Sequence, residues 1–127
     1  MKTRYTVALS VLAGAVLGAG VIQGLHAQAK PPAFVVAEID VSNREAFVKE
    51  FVPLGTKALA TGSGFKTLAR GNKPLSIEGA GPKFIAINQF DSLDEAIKAY
   101  NSLEYKEARK IGDKYATFRI YAAEGQQ

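Results

Sequence analysis

Seven side chains in this sequence have the type and placement to do chemistry: Glu38, Arg70, Asn88, Tyr100, Asn101, Tyr105 and Arg119. Glu38 sits toward the polar end of an otherwise apolar run. It is a candidate general base if desolvation raises its pKa, and equally a carboxylate paired with Arg70 or Arg119 so that no buried charge stands alone. Arg70 precedes Gly71, which permits a tight turn beside the guanidinium, and suits a planar grip on a ligand carboxylate or phosphate or on an internal Glu. Arg119 is a second candidate anion contact. Tyr100, Asn101 and Tyr105 cluster where a helix breaks. Phenols and an Asn there can donate to a ligand oxygen, although rings at helical spacing also serve as core and Asn101-Ser102 also serves as a cap. Asn88, polar on an apolar strand face, hints at a polar pocket, unless a water or a backbone carbonyl satisfies it. Glu38 and Tyr105 are the candidate proton handlers; Arg70, Asn88, Tyr100, Asn101 and Arg119 are the candidate ligand contacts.

What is missing narrows the chemistry further. The 127 residues include no Cys and a single His, His26, which falls in the leader described next. The remainder has neither thiolate nor imidazole. Disulfides, Cys or His zinc sites, His-ligated haem and Ser-His or Cys-His nucleophile pairs are excluded. Proton transfer must use Asp, Glu, Lys or Tyr with a shifted pKa, or a borrowed cofactor. No cofactor and no metal site is expected. Gly62-Ser63-Gly64 and Gly79-Ala80-Gly81-Pro82 match neither a phosphate loop nor a dinucleotide fingerprint and read as turns.

Residues 1–29 read as a cleavable secretory signal peptide. Lys2 and Arg4 precede an uncharged, mostly apolar run from Thr6 to Ile22, and Ala27-Gln28-Ala29 supplies the small-residue ending. Cleavage after Ala29 is expected, with Ala27 as the second choice and an uncleaved anchor as the alternative, since the run approaches the length that spans a bilayer. A periplasmic or secreted location follows. Removing 29 of 127 residues leaves 98, one domain over residues 30–127. Two of the 16 Lys and Arg go with the leader and all 12 acids stay. The net charge of +2 is too weak and scattered for nucleic acid or, after cleavage, a membrane surface.

Periodicity predicts the elements that position these residues. Ala33, Val35, Ala37, Ile39 and Val41 alternate with Phe34, Val36, Glu38 and Asp40, as in a strand with one wholly buried face. Ser42-Asn43-Arg44-Glu45 reads as a capping box with Ser42 as N-cap. It opens a helix striped by Phe47, Phe51, Leu54 and Ala58, kinked at Pro53 and ended by Gly62-Ser63-Gly64. Strands are expected at Phe65–Arg70, Lys83–Phe90 and Thr117–Ala123, with a short extended piece near Leu75–Ile77. A second box at Ser92-Leu93-Asp94-Glu95 starts a helix striped by Ala96, Ile97 and Tyr100, broken at Ser102 and resumed through Tyr105, Ala108 and Ile111.

The order β-α-β-β-α-β predicts a ferredoxin-like α+β sandwich, with strands ordered 4-1-3-2 and both helices on one face. The other face is expected to carry Phe34, Val36, Phe84 and Phe90, or the opposite set. Either is too apolar for water, so a homodimer through the open sheet face is expected.

Phe34-Val35-Val36-Ala37-Glu38-Ile39-Asp40-Val41, Leu68-Ala69-Arg70-Gly71 and above all Tyr100-Asn101-Ser102-Leu103-Glu104-Tyr105, with Arg119 to Gly125, resemble the bacterial family named domain of unknown function 1330. The resemblance covers essentially all of the chain after the leader. It implies the dimeric α+β barrel, in which two ferredoxin-like sheets close around a shared interior, but no settled activity. Three functions stay open: a dimeric small-molecule-binding protein with its pocket between the sheet and the second helix; a cofactor-independent enzyme of the monooxygenase or isomerase kind, as in the wider superfamily; and a structural or partner-binding dimer.

Overall fold

In the computed structural model the described residues are 30–71 and 73–126; the leader expected at residues 1–29 lies outside them. Strand β1 (Ala33–Val41) is followed by a helical segment in three pieces: α1 (Arg44–Ala46), a π-helical turn (Phe47–Phe51) and α2 (Val52–Leu59). Then come β2 (Lys66–Gly71), β3 (Phe84–Phe90), α3 (Leu93–Tyr100), α4 (Leu103–Gly112) and β4 (Ala116–Glu124). The four strands form one antiparallel sheet in the order β2-β3-β1-β4. This is the predicted ferredoxin-like order read from the other edge.

The alternation in β1 decides which face the helices cover. Ala33, Val35, Ala37, Ile39 and Val41 are buried, while Phe34, Val36 and Glu38 are half-buried and Asp40 is exposed. Register carries the division across the sheet. Ala33 pairs with Phe90 and Ile39 with Phe84, so those two rings join the buried face, whereas Val36 pairs with Ile87 and Tyr121 on the open face. Phe34 and Val36 therefore do not share a face with Phe84 and Phe90, contrary to the grouping expected from sequence. Alternation within a strand does not fix the phase between strands; register does.

The first helical segment departs from expectation in three ways. Asn43 is the N-cap, accepting the Ala46 N–H on Oδ1, because Ser42 is drawn to the Tyr115 carbonyl through both its N–H and its hydroxyl. Pro53 does not kink an α-helix; it follows a π turn in which the Val52 N–H donates to the Phe47 carbonyl. A proline at position 53 has no N–H to offer to Lys49. The wider turn places it in the first turn of α2, where the missing donor costs little. The wider turn also rotates the helix face, so Gly55, Ala58 and Leu59 are buried and Leu54 stays 44% exposed.

The second helical segment is two helices. Ser92 caps α3 by accepting the Glu95 N–H at 3.2 Å, and Ser102 caps α4 by accepting the Tyr105 N–H at 3.2 Å. Ala99, not Ile97, completes the buried stripe of α3. Glu95 does not reach back to Ser92. Its carboxylate accepts the Ser63 N–H at 3.1 Å, and Ser63 also donates its hydroxyl to Asp91 at 2.6 Å. Gly64 takes a positive φ of 73° in this clasp, and a Cβ there would collide with the Asp91 side chain. The clasp ties the start of β2 to the start of α3. No strand forms at Leu75–Ile77, whose two aliphatic side chains are almost fully exposed. Pro74 and Gly79-Ala80-Gly81-Pro82 flank them and interrupt any ladder.

Candidate functional site

Asn88 organises the interior of the helix-covered face. It points there with Phe84, Ala86 and Phe90 because it occupies the same phase of β3, and it is only 5% exposed. Its carbonyl Oδ1 accepts the Thr67 hydroxyl at 3.1 Å from the paired position on β2, and its Nδ2 donates to the Tyr100 phenol oxygen at 3.0 Å. A buried amide is tolerated when both ends are bonded, and here strand register and the end of α3 supply the two partners.

Around this chain of hydrogen bonds lies a cavity of about 50 Å³ between sheet and helices. At the ~10–15 Å³ that one water needs, it has room for roughly four water-sized groups. Phe47 and Phe51 of the π turn stack at 5.1 Å, Phe51 meets Tyr105 edge-on, Tyr105 meets Tyr100 at 4.9 Å, and Phe65 with Phe84 closes the wall. The polar lining is confined to Thr56, Thr67, Asn88, Arg70 and the phenols. Arg70 reaches it from β2 and donates from Nη1 to the Thr56 hydroxyl at 3.0 Å. Burial pushes the Tyr100 pKa up to about 12, against the opposing hydrogen bond from Asn88, and burial likewise raises that of Tyr105. Both phenols keep their protons at neutral pH.

Glu38 and Arg119 lie elsewhere, on the open face. They pair across β1 and β4: Arg119 donates from Nη2 to Oε1 at 2.9 Å and from Nε to Oε2 at 3.3 Å, and the Tyr121 hydroxyl donates to Oε2 at 2.8 Å. The Arg119 hydrogen bond, followed by that of Tyr121, holds the Glu38 carboxyl below the usual carboxylate range, the reverse of the rise that desolvation of a base requires. Of the two partners left open for Glu38, Arg119 is the one observed; Arg70 is on the other face.

The fold thus brings Arg70, Asn88, Tyr100 and Tyr105 to one cavity, and separates Glu38 and Arg119 from it. Asn101 ends α3 with its N–H on the Ile97 carbonyl and its side chain exposed, outside the cavity. Thr56 and Thr67 escaped the sequence reading, and Phe47 and Phe51 entered it only as the stripe of a helix. Thr67 was within reach, since it shares the Asn88 phase once β2 and β3 are set in register; the π turn had only Pro53 as its signal. Among the described residues no cluster of three or more His, Cys, Asp or Glu is placed to hold a metal.

Comparison with known proteins agrees with this architecture. A family profile described as Domain of unknown function (DUF1330) matches residues 32–126. No curated protein matches. Among solved structures, the methylated RPA0582 protein superposes with a TM-score of 0.62 at 11% identity, over 85% of this chain and 91% of that one; RPA0582 is described as a protein of unknown function from Rhodopseudomonas palustris. SnoaB, a cofactor-independent oxygenase from Streptomyces nogalater, superposes with a TM-score of 0.60 at 13% identity, over 76% and 95% of the two chains. A putative antibiotic biosynthesis monooxygenase from Caulobacter crescentus gives 0.59 at 18% identity, over 77% and 92%. At these identities the likeness is one of fold.

Proposed function

The chain belongs to the family of the domain of unknown function 1330, and on that premise we propose that it is an exported, dimeric small-molecule-binding protein whose ligand occupies the cavity between the sheet and the π turn with α2, its lining completed by Tyr100 of α3 and Tyr105 of α4 and not set against the second helical segment alone. The observation that carries the reading is the composition of that cavity: aromatic walls with a small, localised set of hydrogen-bonding groups, the make-up of a ligand site. Export rests on the leader pattern of residues 1–29. Dimerisation rests on the open face, where Phe34, Val36, Ile85 and Ile87 present apolar surface that none of the chain's described helices covers.

An enzyme reading would draw on SnoaB and on the tyrosines that line the same cavity. The binding reading fits the geometry better. Tyr100 and Tyr105 are held protonated and serve as donors, not bases, and Glu38 is ionised, saturated by Arg119 and Tyr121, and remote from the cavity.

Native mass spectrometry of the protein purified from its own periplasm tests the proposal in one measurement. A dimer retaining a small molecule that departs on activation is the expected result. A ligand-free species after gentle purification, with Tyr100→Phe and wild type indistinguishable in a metabolite-extract binding screen, removes the binding role; absence from the periplasm removes export; a monomer at micromolar concentration removes the dimer.

A further inference from the structure

Charge at the cavity is one-sided. Arg70 is the single charged residue among those described as lining it, and no Asp or Glu joins it there. Its hydrogen bond goes to a neutral hydroxyl, from Nη1 to Thr56, which leaves the Nε–Nη2 edge of the guanidinium unspent. That edge grips carboxylates bidentately. Arg119 of this chain shows it in use, placing Nε on Oε2 and Nη2 on Oε1 of Glu38, and Arg109 turns the same edge to the single oxygen Oδ1 of Asp113.

A second donor lies deeper. The Tyr100 oxygen already accepts from Asn88, and Oδ1 of Asn88 already accepts from Thr67, so the phenol proton has no acceptor within that chain. Thr67 and Arg70 pair with Asn88 and Ala86, two residues apart on β3, so their backbone positions lie ~7 Å apart along the strand. The walls include Phe47, Phe51 and Phe65.

From this arrangement, and resting on the ligand-binding reading above, we propose that the cavity selects small monocarboxylates: a short apolar body, a carboxylate gripped by the free edge of Arg70, and preferentially an acceptor oxygen for Tyr100. Arg70 is the specificity-determining residue and Tyr100 the depth gauge. A neutral ligand of the same shape gains the walls but not the ion pair.

The test uses the full chain expressed in its own host, with acetate and propionate compared with their neutral amides, acetamide and propionamide. Binding is read by titration calorimetry and by the ring proton resonances of Tyr100 and Phe65. Each carboxylate is expected to bind about tenfold or more tighter than its amide, the size of one charge-assisted contact. Arg70→Met is expected to bring that ratio close to one, with the larger loss falling on the carboxylates. Arg70→Lys, which keeps the charge without the fork, is expected to fall between. Equal binding of acid and amide, or an acid preference that survives in Arg70→Met, overturns carboxylate selection and leaves the pocket reading standing. If neither acids nor amides perturb the cavity rings, the pocket reading fails, and this inference with it.

Discussion

The two faces of one sheet handle polarity in opposite ways. Beneath the helices, polar groups are neutral and bonded in a chain, Thr67 to Asn88 to Tyr100, amid aromatic rings. On the open face the polar group is ionic, Glu38 with Arg119 and Tyr121, amid aliphatic neighbours. Burying an amide with both ends satisfied costs little, whereas burying an ion pair sets a large desolvation penalty against its attraction. The difference teaches where each kind of recognition belongs: the covered face suits an apolar body steered by neutral donors, with Arg70 the one charged residue among those described as lining its cavity. The open face presents an internally neutralised patch that a second copy can lie against without leaving a lone charge.

The comparison is most sharply broken by matched truncations. Phe47, fully buried on the covered face, is expected to cost about 3–5 kcal/mol of unfolding free energy as Phe47→Ala, by denaturant titration. Phe34→Ala, half-buried on the open face, is expected to cost clearly less in dilute protein and progressively more as concentration rises, because a covering second copy stabilises by mass action. Equal, concentration-independent losses would mean that the faces are not different environments.

A smaller effect separates the faces at high pH. Tyr100 has its folded pKa raised to about 12 from 10.0, so its contribution is complete below pH 10 and lost as pH climbs toward 12, a loss on the order of 3 kcal/mol. Tyr100→Phe is expected to flatten that alkaline limb in pH-dependent melts. An unchanged limb would mean that this phenol is not desolvated.

The smallest effect lies at low pH and on the open face. Glu38 has its folded pKa lowered from 4.5, so its contribution is present above pH 4.5 and lost as pH falls through the depressed value. In Glu38→Gln the acid limb of the stability curve is expected to become shallower, because the variant has no carboxylate to protonate there. A shallower limb in Arg70→Met instead would reassign the partner of Glu38.

Much of the architecture was legible because local rules and the fold agree. Alternation in Ala33 to Val41 marked the central strand, and Ser92 and Ser102 marked the α3 and α4 starts. Where a longer-range partner competed, local rules failed. Ser42 left the cap to Asn43 because the Tyr115 carbonyl offered it two hydrogen bonds, and Glu95 left its own box for the Ser63 N–H. Leu54 left the helical stripe because the π turn changed its phase. Among the site residues, Asn88 was visible as a polar residue on an apolar face, while its partner Thr67 and the role of Thr56 were not, since both depend on contacts between elements.

By itself the order of residues determined which side chains exist to do chemistry, the absence of thiol and imidazole after residue 26, the alternation of β1 and the β-α-β-β-α-β order. Those are properties of composition and of local backbone periodicity. Only the tertiary structure decided that Glu38 answers to Arg119, that Arg70 faces the cavity without an acid, and that Asn88 meets Tyr100. Each of these turns on strand register or on the angle at which a helix crosses the sheet, and a shift of one residue in register moves a side chain to the opposite face.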